Sequence, residues 1–292
     1  MDPSITSEAA IGVRNPAKLA PLPHKVVGPE IFSEFSLKDK VAVVTGGDGG
    51  LGLEFCIVLA ELGAAVYAID LPAKPSADFE AAAKYCRRLG TSLEYRRADI
   101  SDSLRATAIL EEIANNNDGR VDVLIAAAGI LGDEHDVEAY PAESFRKVMD
   151  INCGGVFYSA QAAAKIMKRK GIAGSIILIA SISGSVTNRD MKWSAYNVSK
   201  SAVVQMGRSM ACELGQFGIR VNTLSPGHIR TKMTAQTLES DTKMEAFWAS
   251  LNPLGRIGAI HELRGVIAWL SSEASSFCTG SDIIVSGGHT AW

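Results

Sequence analysis

The stretch TGGDGGLG, Thr45-Gly46-Gly47-Asp48-Gly49-Gly50-Leu51-Gly52, decides the fold of this 292-residue chain. It follows the apolar run Val41 to Val44 and opens a mostly apolar helix candidate, Leu51 to Leu62. Strand, glycine turn and helix in that order make a cradle for phosphate. Glycine lets the backbone come close, and the helix start offers unpaired N–H groups to an anion. About twenty residues on, a second apolar run, Ala65 to Ile69, ends in Asp70. A carboxylate there can accept hydrogen bonds from the ribose hydroxyls of an adenine dinucleotide.

Outward from that unit, strand and helix signals alternate. Strands are predicted at 41–45, 65–70, 92–97, 121–126, 175–180, 219–224 and 282–285. Helices are predicted at 51–62, 78–89, 102–116, 143–151, 155–169, 195–216 and 260–271. Several strand candidates are unbroken Val/Ile/Leu/Ala runs, as in strands covered on both faces. Asp102 is a cap candidate, and Gly63, Gly90 and Gly218 fit helix ends. The alternation predicts an α/β fold, a Rossmann-type doubly wound parallel sheet of about seven strands with helices on both faces. Residues 1–35, with Pro3, Pro16, Pro21, Pro23 and Pro29 and no clean period, read as an N-terminal extension, lying on the body or partly disordered. Residues 36–292 read as a single dinucleotide-binding domain. Its stretch 228–258 breaks the alternation with a helix-like piece near 232–250 that carries Met233, Leu238, Met244, Phe247 and Trp248. Rooted after the sixth strand, at the sheet edge where ligands bind, it reads as a substrate-side insertion or as a plain surface hairpin.

The apolar fraction of 47% and the charged fraction of 21% suit a full core. A net charge of −3 gives no broad attraction for nucleic acid or an anionic membrane. Cysteines at 56, 86, 153, 212 and 278 are odd in number and widely spaced, with no CxxC pair. They read as buried free thiols in a reducing compartment, and no metal site is expected. Asp2, Glu8 and the lack of a long apolar stretch predict no signal peptide and no spanning helix, which makes a cytoplasmic location the expectation.

Tyr196 and Lys200 stand four apart near the start of a strong helix candidate, on one face and one turn apart. A phenol titrates near 10 and is a poor base at neutral pH, but a nearby ammonium favours the phenolate. The pair can therefore give and take a proton. The apolar run Ser175 to Ala180 delivers Ser181 at its carboxyl end, where a hydroxyl can hold a carbonyl oxygen or stabilise an alkoxide. Asn152, between two helical segments, can hold backbone or a water serving Lys200, or simply break a helix.

With these residues in order, residues 37 to 290 resemble the short-chain dehydrogenase/reductase family, in its TGxxxGxG form. Thr45, Gly46, Gly50 and Gly52 fill that pattern, with Asp48 and Leu51 in the same turn. The resemblance implies cofactor contacts from these residues, from Asp70, from Asp99 and Ile100, from Ala127 and Gly129, and from Pro226, Gly227, Ile229 and Thr231. It implies a catalytic set of Asn152, Ser181, Tyr196 and Lys200, with Tyr196 and Lys200 also at the cofactor. Two departures stand out. Ala126-Ala127-Ala128-Gly129 replaces the family's NNAG, and Ser181 precedes Tyr196 by 15 positions, a longer spacing than is usual. Ser183 sits at the usual distance, but Gly184 keeps its offset from Ser181, which is preferred.

Within the family, the lead Phe35-Ser36-Leu37-Lys38, the run GSIILI from Gly174, the phrase RVNTLSPG from Arg220 and a Gly-Gly ending near Trp292 resemble fungal polyol and ketose reductases, of the D-arabinitol 2-dehydrogenase, mannitol and sorbose types. The implied reaction is reversible hydride transfer between a nicotinamide cofactor and a secondary alcohol or ketone, a polyol or ketose. A ketoreductase of secondary metabolism acting on a bulkier cyclic or aromatic ketone is the alternative, and a non-catalytic dinucleotide binder a remote one. Asp70, with Asp48 on the same side, favours NAD over NADP, since a 2′-phosphate would meet like charge. Lys74 is the nearest cation that could accommodate NADP. Substrate lining is expected from 130–135, 182–193 and 228–248. Ser181, Ser183, Trp193 and His228 are the first candidates there. His135, Asn188, Arg189 and Asp190 are available for hydroxyls, and Trp193, Met233, Phe247 and Trp248 for an apolar body. A homotetramer or homodimer through helices 155–169 and 195–216 is implied by the resemblance.

Overall fold

The computed structural model describes residues 30–231, 234 and 242–292. The chain divides into two units, Met1–Glu34 and Phe35–Trp292. Of the first, the structure describes helix α1, Glu30–Glu34. The five prolines of the expected extension lie outside the described residues, as do Met233 and Leu238.

The second unit is built on seven parallel strands: β1 (Val41–Thr45), β2 (Ala65–Asp70), β3 (Ser92–Arg97), β4 (Val123–Ala126), β5 (Ser175–Ile179), β6 (Arg220–Pro226) and a last strand, Asp282–Val285. Their order is β3-β2-β1-β4-β5-β6 followed by the last strand. Successive residues of a strand point to opposite faces, and both faces are covered. On one face Ala42 and Val44 of β1 and Ile177 and Ile179 of β5 share a core with α2 (Gly50–Glu61), α3 (Ala77–Arg88) and a later helix, Arg264–Ser271, which is the one that lies against β5. Val41 and Val43, with Ile176 and Leu178, pack under α4 (Ser103–Asn115), α6 (Val156–Lys170) and α7 (Ser194–Leu214). Burial on both sides explains why these strands are unbroken apolar runs.

Local signals act as expected at the helix ends. Asp102 caps α4 by accepting from the backbone N–H of Leu104 and Arg105. Gly63, Gly90 and Gly218 all take the left-handed conformation. Two expectations change. Helices 143–151 and 155–169 are one continuous helical run, in which α5 (Ala142–Met149) passes into α6 through a π turn at Asp150–Gly155. Asn152 therefore sits inside helix and does not break it. Of the cysteines, only Cys56 and Cys86 are buried; Cys153 and Cys278 are partly covered and Cys212, on the outer face of α7, is exposed, all five being free thiols.

The stretch after β6 forms β7 (Ile229–Arg230), then α8 (Thr242–Ser250) and β8 (Gly258–Ala259), which pairs in parallel with β7. The chain continues through α9 (Arg264–Ser271) to the last strand, β9. No helix among the described residues is long and apolar enough to cross a membrane. The sheet order reverses between β2 and β4, on either side of β1. That switch opens a crevice at the carboxyl ends of β1 and β4, where open α/β sheets bind ligands.

One buried carboxylate holds the opposite end of this crossing. Asp122, 3% exposed, accepts from the backbone N–H of Val41 at 2.9 Å. It pairs with Arg120 at 2.6 Å and Lys40 at 3.8 Å. Asp122→Ala orphans the Val41 donor and two cations, and is expected to lower stability by about 1–3 kcal/mol, read as a lower urea midpoint with unchanged slope.

Candidate active site

A cleft of about 920 Å³ runs along the carboxyl ends of the strands. At one end lies the glycine turn. Gly46 has φ +69°, and a Cβ there would sit 2.8 Å from the Ala128 backbone. A Cβ on Gly52 would run into the Gly46 carbonyl, so turn and helix touch through bare backbone. Gly49 precedes α2 with no side chain capping the first turn, and the space beside Gly49 and Gly50 is open. Unpaired N–H groups therefore face a void that a pyrophosphate fits.

At the tip of β2, Asp70 is held by its neighbours. Its Oδ2 accepts from the Asp48 N–H at 3.0 Å and its Oδ1 from the Leu71 N–H at 2.8 Å. Gly46, Gly50, Leu51, Gly52, Asp70, Asp99, Ile100, Ala127 and Gly129 line this arm of the cleft, and Pro226, Gly227, Ile229 and Thr231 line the other side. Two expected contacts are placed otherwise. Thr45 is buried and its Oγ1 accepts from the Ala128 N–H at 3.3 Å, bracing β1 against the β4 exit. The Asp48 carboxylate turns away to accept from the Ser76 N–H at 2.7 Å, and Ser76 caps α3. Both serve the turn's shape from outside the cleft lining.

At the other end the structure brings Ser181, Tyr196 and Lys200 together. Ser181 leaves β5 and starts a short 3₁₀ turn, Ile182–Gly184, accepting from the Ser183 N–H at 3.1 Å. Gly184 lets that turn lie against α7, since a Cβ there would be 2.8 Å from the Lys200 carbonyl. Ser181, Tyr196 and Lys200 all line the cleft. Ser183 is occupied elsewhere, its Oγ accepting from Asn188 at 2.7 Å.

Burial raises the Tyr196 phenol above its ordinary range, and the Ser181 side chain acts against that rise. Burial lowers Lys200 to about 8. Its Nζ donates to the Ile179 carbonyl at 2.9 Å and lies 5.6 Å from the centre of the Tyr196 ring.

Asn152 is fully buried and does not line the cleft. Its Oδ1 accepts from the Ile130 N–H and its Nδ2 donates to the Ile130 carbonyl, each at 2.8 Å. Nδ2 also donates to Ser199 Oγ at 3.1 Å, and Ser199 donates to the Tyr196 carbonyl at 2.7 Å. The side chain is thus a backbone clamp between the β4 exit and α7. Gly129 fits under it, where a Cβ would lie 3.2 Å from Asn152 Oδ1 and 3.5 Å from Lys200 Nζ.

Beyond the phenol, an aromatic ladder forms the wall. Trp193 meets Tyr196 and Trp248 edge to face at 6.4 Å each. Trp248, on α8, stacks on His228 at 4.6 Å and 16°, and His289 packs its edge on His228 at 5.0 Å. Burial and His289 push His228 down to about 4, so it is neutral at pH 7. Ser183, Asn188, Trp193, His228 and Trp248 all line the cleft, whereas His135, Arg189, Asp190 and Phe247 do not. His135 packs instead on Tyr140. Glu134 and Thr234 also line the cleft, and neither type nor spacing had singled them out. Glu134 accepts from Trp193 Nε1 at 2.7 Å and so ties two loops across the opening.

Comparison with known proteins follows this geometry. The family described as Enoyl-(Acyl carrier protein) reductase, adh_short_C2, matches residues 46–290. Sorbose reductase SOU1 of Candida albicans is 36% identical over 290 residues, covering 97% of this chain and 99% of the relative. D-arabinitol 2-dehydrogenase [ribulose-forming] of Scheffersomyces stipitis is 34% identical, covering 90% and 98%. Among solved structures, NADPH-dependent 3-quinuclidinone reductase of Rhodotorula rubra superposes with a TM-score of 0.82 at 33% identity, covering 92% of this chain and all of that one.

The depressed Lys200 has a consequence for stability. Between about 8 and its ordinary 10.5, the unfolded chain holds a proton that the folded protein does not. Stability therefore rises with pH across that window on account of this group. Lys200→Met removes the rise. Its urea midpoint relative to wild type is expected to be highest below pH 8 and to fall between pH 8 and 10.5.

Proposed function

The chain belongs to the short-chain dehydrogenase/reductase family of oxidoreductases, and from that premise we propose that it interconverts a polyol and its ketose with a nicotinamide dinucleotide. The observation that carries the reading is the gathering of Ser181, Tyr196 and a buried Lys200 on one cleft lining, with the Lys200 Nζ 5.6 Å from the centre of the Tyr196 ring. Near full-length similarity to a sorbose reductase and a D-arabinitol 2-dehydrogenase supports the substrate class.

A bound nicotinamide supplies or accepts the hydride. The chain's own residues do the rest. Tyr196 donates a proton to the substrate oxygen during reduction and takes it back during oxidation. Because burial holds its proton on, the phenol is in the donating form at neutral pH, and oxidation gains with rising pH. Ser181 holds the substrate oxygen as charge develops on it. Lys200 would hold the nicotinamide ribose and, as an ammonium, favour the phenolate. Asn152 keeps the β4 exit and α7 in register beneath these groups. A non-catalytic binder would have no use for this set.

A bulkier cyclic ketone is the second reading. The Trp193 and Trp248 wall and similarity to the 3-quinuclidinone reductase favour it. For the nucleotide we propose NAD. Asp70 presents its carboxylate at the ribose end, and Lys200, at the far end, is the sole Lys or Arg among the described residues lining the cleft. A phosphate about 4 Å from that carboxylate would be repelled by about 4 kcal/mol per unit charge at an effective dielectric of ~20. Favouring NADP are Arg97, whose Nε donates to the Leu71 carbonyl at 3.2 Å beside Asp70, and similarity to the NADPH-dependent Rhodotorula enzyme. Family membership further supports a homo-oligomer, a tetramer or dimer, built on α6 and α7, where Phe157 and Val198 are exposed. A cytoplasmic setting is consistent with the five free thiols.

Two variants test these assignments. Tyr196→Phe is expected to bind dinucleotide as wild type does while kcat falls by about 10²–10⁴, measured at the absorbance of reduced nicotinamide with polyols and ketoses. Full retention of rate would remove Tyr196 from proton transfer. Asp70→Asn is expected to shift the NAD/NADP ratio of kcat/KM toward NADP by about tenfold or more. An unchanged ratio would show that the carboxylate does not select the nucleotide.

A further inference from the structure

Among the described residues, six buried side-chain polar atoms have no hydrogen-bond partner. Four of the six belong to three residues of one cleft wall: His228 Nδ1 and Nε2, Trp248 Nε1 and Asn188 Oδ1. All three side chains are at least nine-tenths buried, with exposures of 9%, 4% and 3%. Asn188 spends its amide nitrogen on Ser183, which leaves the oxygen unpaired. The stacked indole and imidazole cover each other, so these atoms meet neither protein nor solvent.

Buried polar groups without partners are costly, and a native structure rarely collects four in one place. A neutral imidazole has one donor and one acceptor, an indole one donor and an amide oxygen an acceptor site. Together they present two donors and two acceptors. A hydroxyl gives one hydrogen bond and takes one, so the set is the complement of two hydroxyls.

We propose that His228, Trp248 and Asn188 recognise two hydroxyls on substrate carbons beyond the reacting one, so that the site selects a polyhydroxy ketone or polyol over a ketone without hydroxyls. The proposal rests on the hydride-transfer reading above and names the groups that would set its specificity. Substrate entry parts the Trp248–His228 stack, and the hydroxyls become the missing partners. A site built to pair hydroxyls penalises an analogue that lacks them, because its own polar atoms then stay unpaired.

The test compares L-sorbose and D-fructose with 2-hexanone, a six-carbon ketone without hydroxyls, using NADH and NADPH. Wild type is expected to favour a ketohexose over 2-hexanone in kcat/KM. Trp248→Phe and His228→Phe keep an aromatic ring and remove its nitrogens. Each is expected to lower kcat/KM for the ketohexose about tenfold, mainly through KM, and to change that for 2-hexanone less than about threefold. Dinucleotide binding, followed by fluorescence, reports that the fold is kept, and the two variants change different rings, so either one decides. Equal losses on both ketones, no loss on the ketohexose, or a wild-type preference for 2-hexanone would overturn the recognition role while leaving the dehydrogenase reading intact. No turnover of any of the three ketones would overturn both.

Discussion

The amide of Asn152 holds this molecule's working end together. Both of its polar atoms close on the Ile130 backbone, and its nitrogen reaches on to Ser199. Three segments meet there: the exit of β4, the π turn before α6, and the first two turns of α7. The last of these carries Tyr196 and Lys200. A fully buried amide with all partners in place is rigid, because any displacement strands a donor or acceptor without water to replace it. Gly129 completes the arrangement by its lack of a side chain, which lets the Lys200 ammonium approach.

Much of this was legible in the chain alone. The strands could be placed to within two residues; β1, β4 and β5 are buried along their whole length and read as unbroken apolar runs. Asp102, Gly63, Gly90 and Gly218 marked helix ends through capping and left-handed geometry that few residue types supply. The glycine turn and the Tyr196–Lys200 pair were readable because spacing along strand and helix fixes which groups face each other. The π turn was not readable: α and π turns draw on the same residues, and an asparagine followed closely by Gly154-Gly155 looks like an interruption. Thr45 and Asp48 sit inside the motif yet hydrogen-bond within the protein, a choice decided by partners at Ala128 and Ser76. Cys212 falls on an outward helix face that composition does not reveal.

The electrostatics of the cleft divide along its length. Backbone N–H groups at the start of α2 favour anionic charge at one end, and the Asp70 carboxylate beside them marks where negative charge is unwelcome. At the other end Lys200 is the lone ammonium among the described lining residues, and burial makes it reluctant to stay charged. Among the described residues its acceptor is the Ile179 carbonyl at the tip of β5, so a ligand that offers oxygens there would stabilise the ammonium. The same desolvation that makes Lys200 and Tyr196 costly to the apoprotein makes them responsive to whatever occupies the space between them.

The π turn also sets the angular phase of everything after it. Each residue of a helix advances the side-chain direction by about 100°, and a π turn accommodates one residue more than the α turn it replaces. The side-chain faces of α5 and α6 are therefore out of step. Removing a single residue between Asp150 and Gly155 would restore a uniform helix and rotate Ala160, Ala163 and Met167 away from the sheet they now cover. The length of this segment is thus constrained more tightly than its composition, and homologous chains that keep the same core must keep the same count of residues through it.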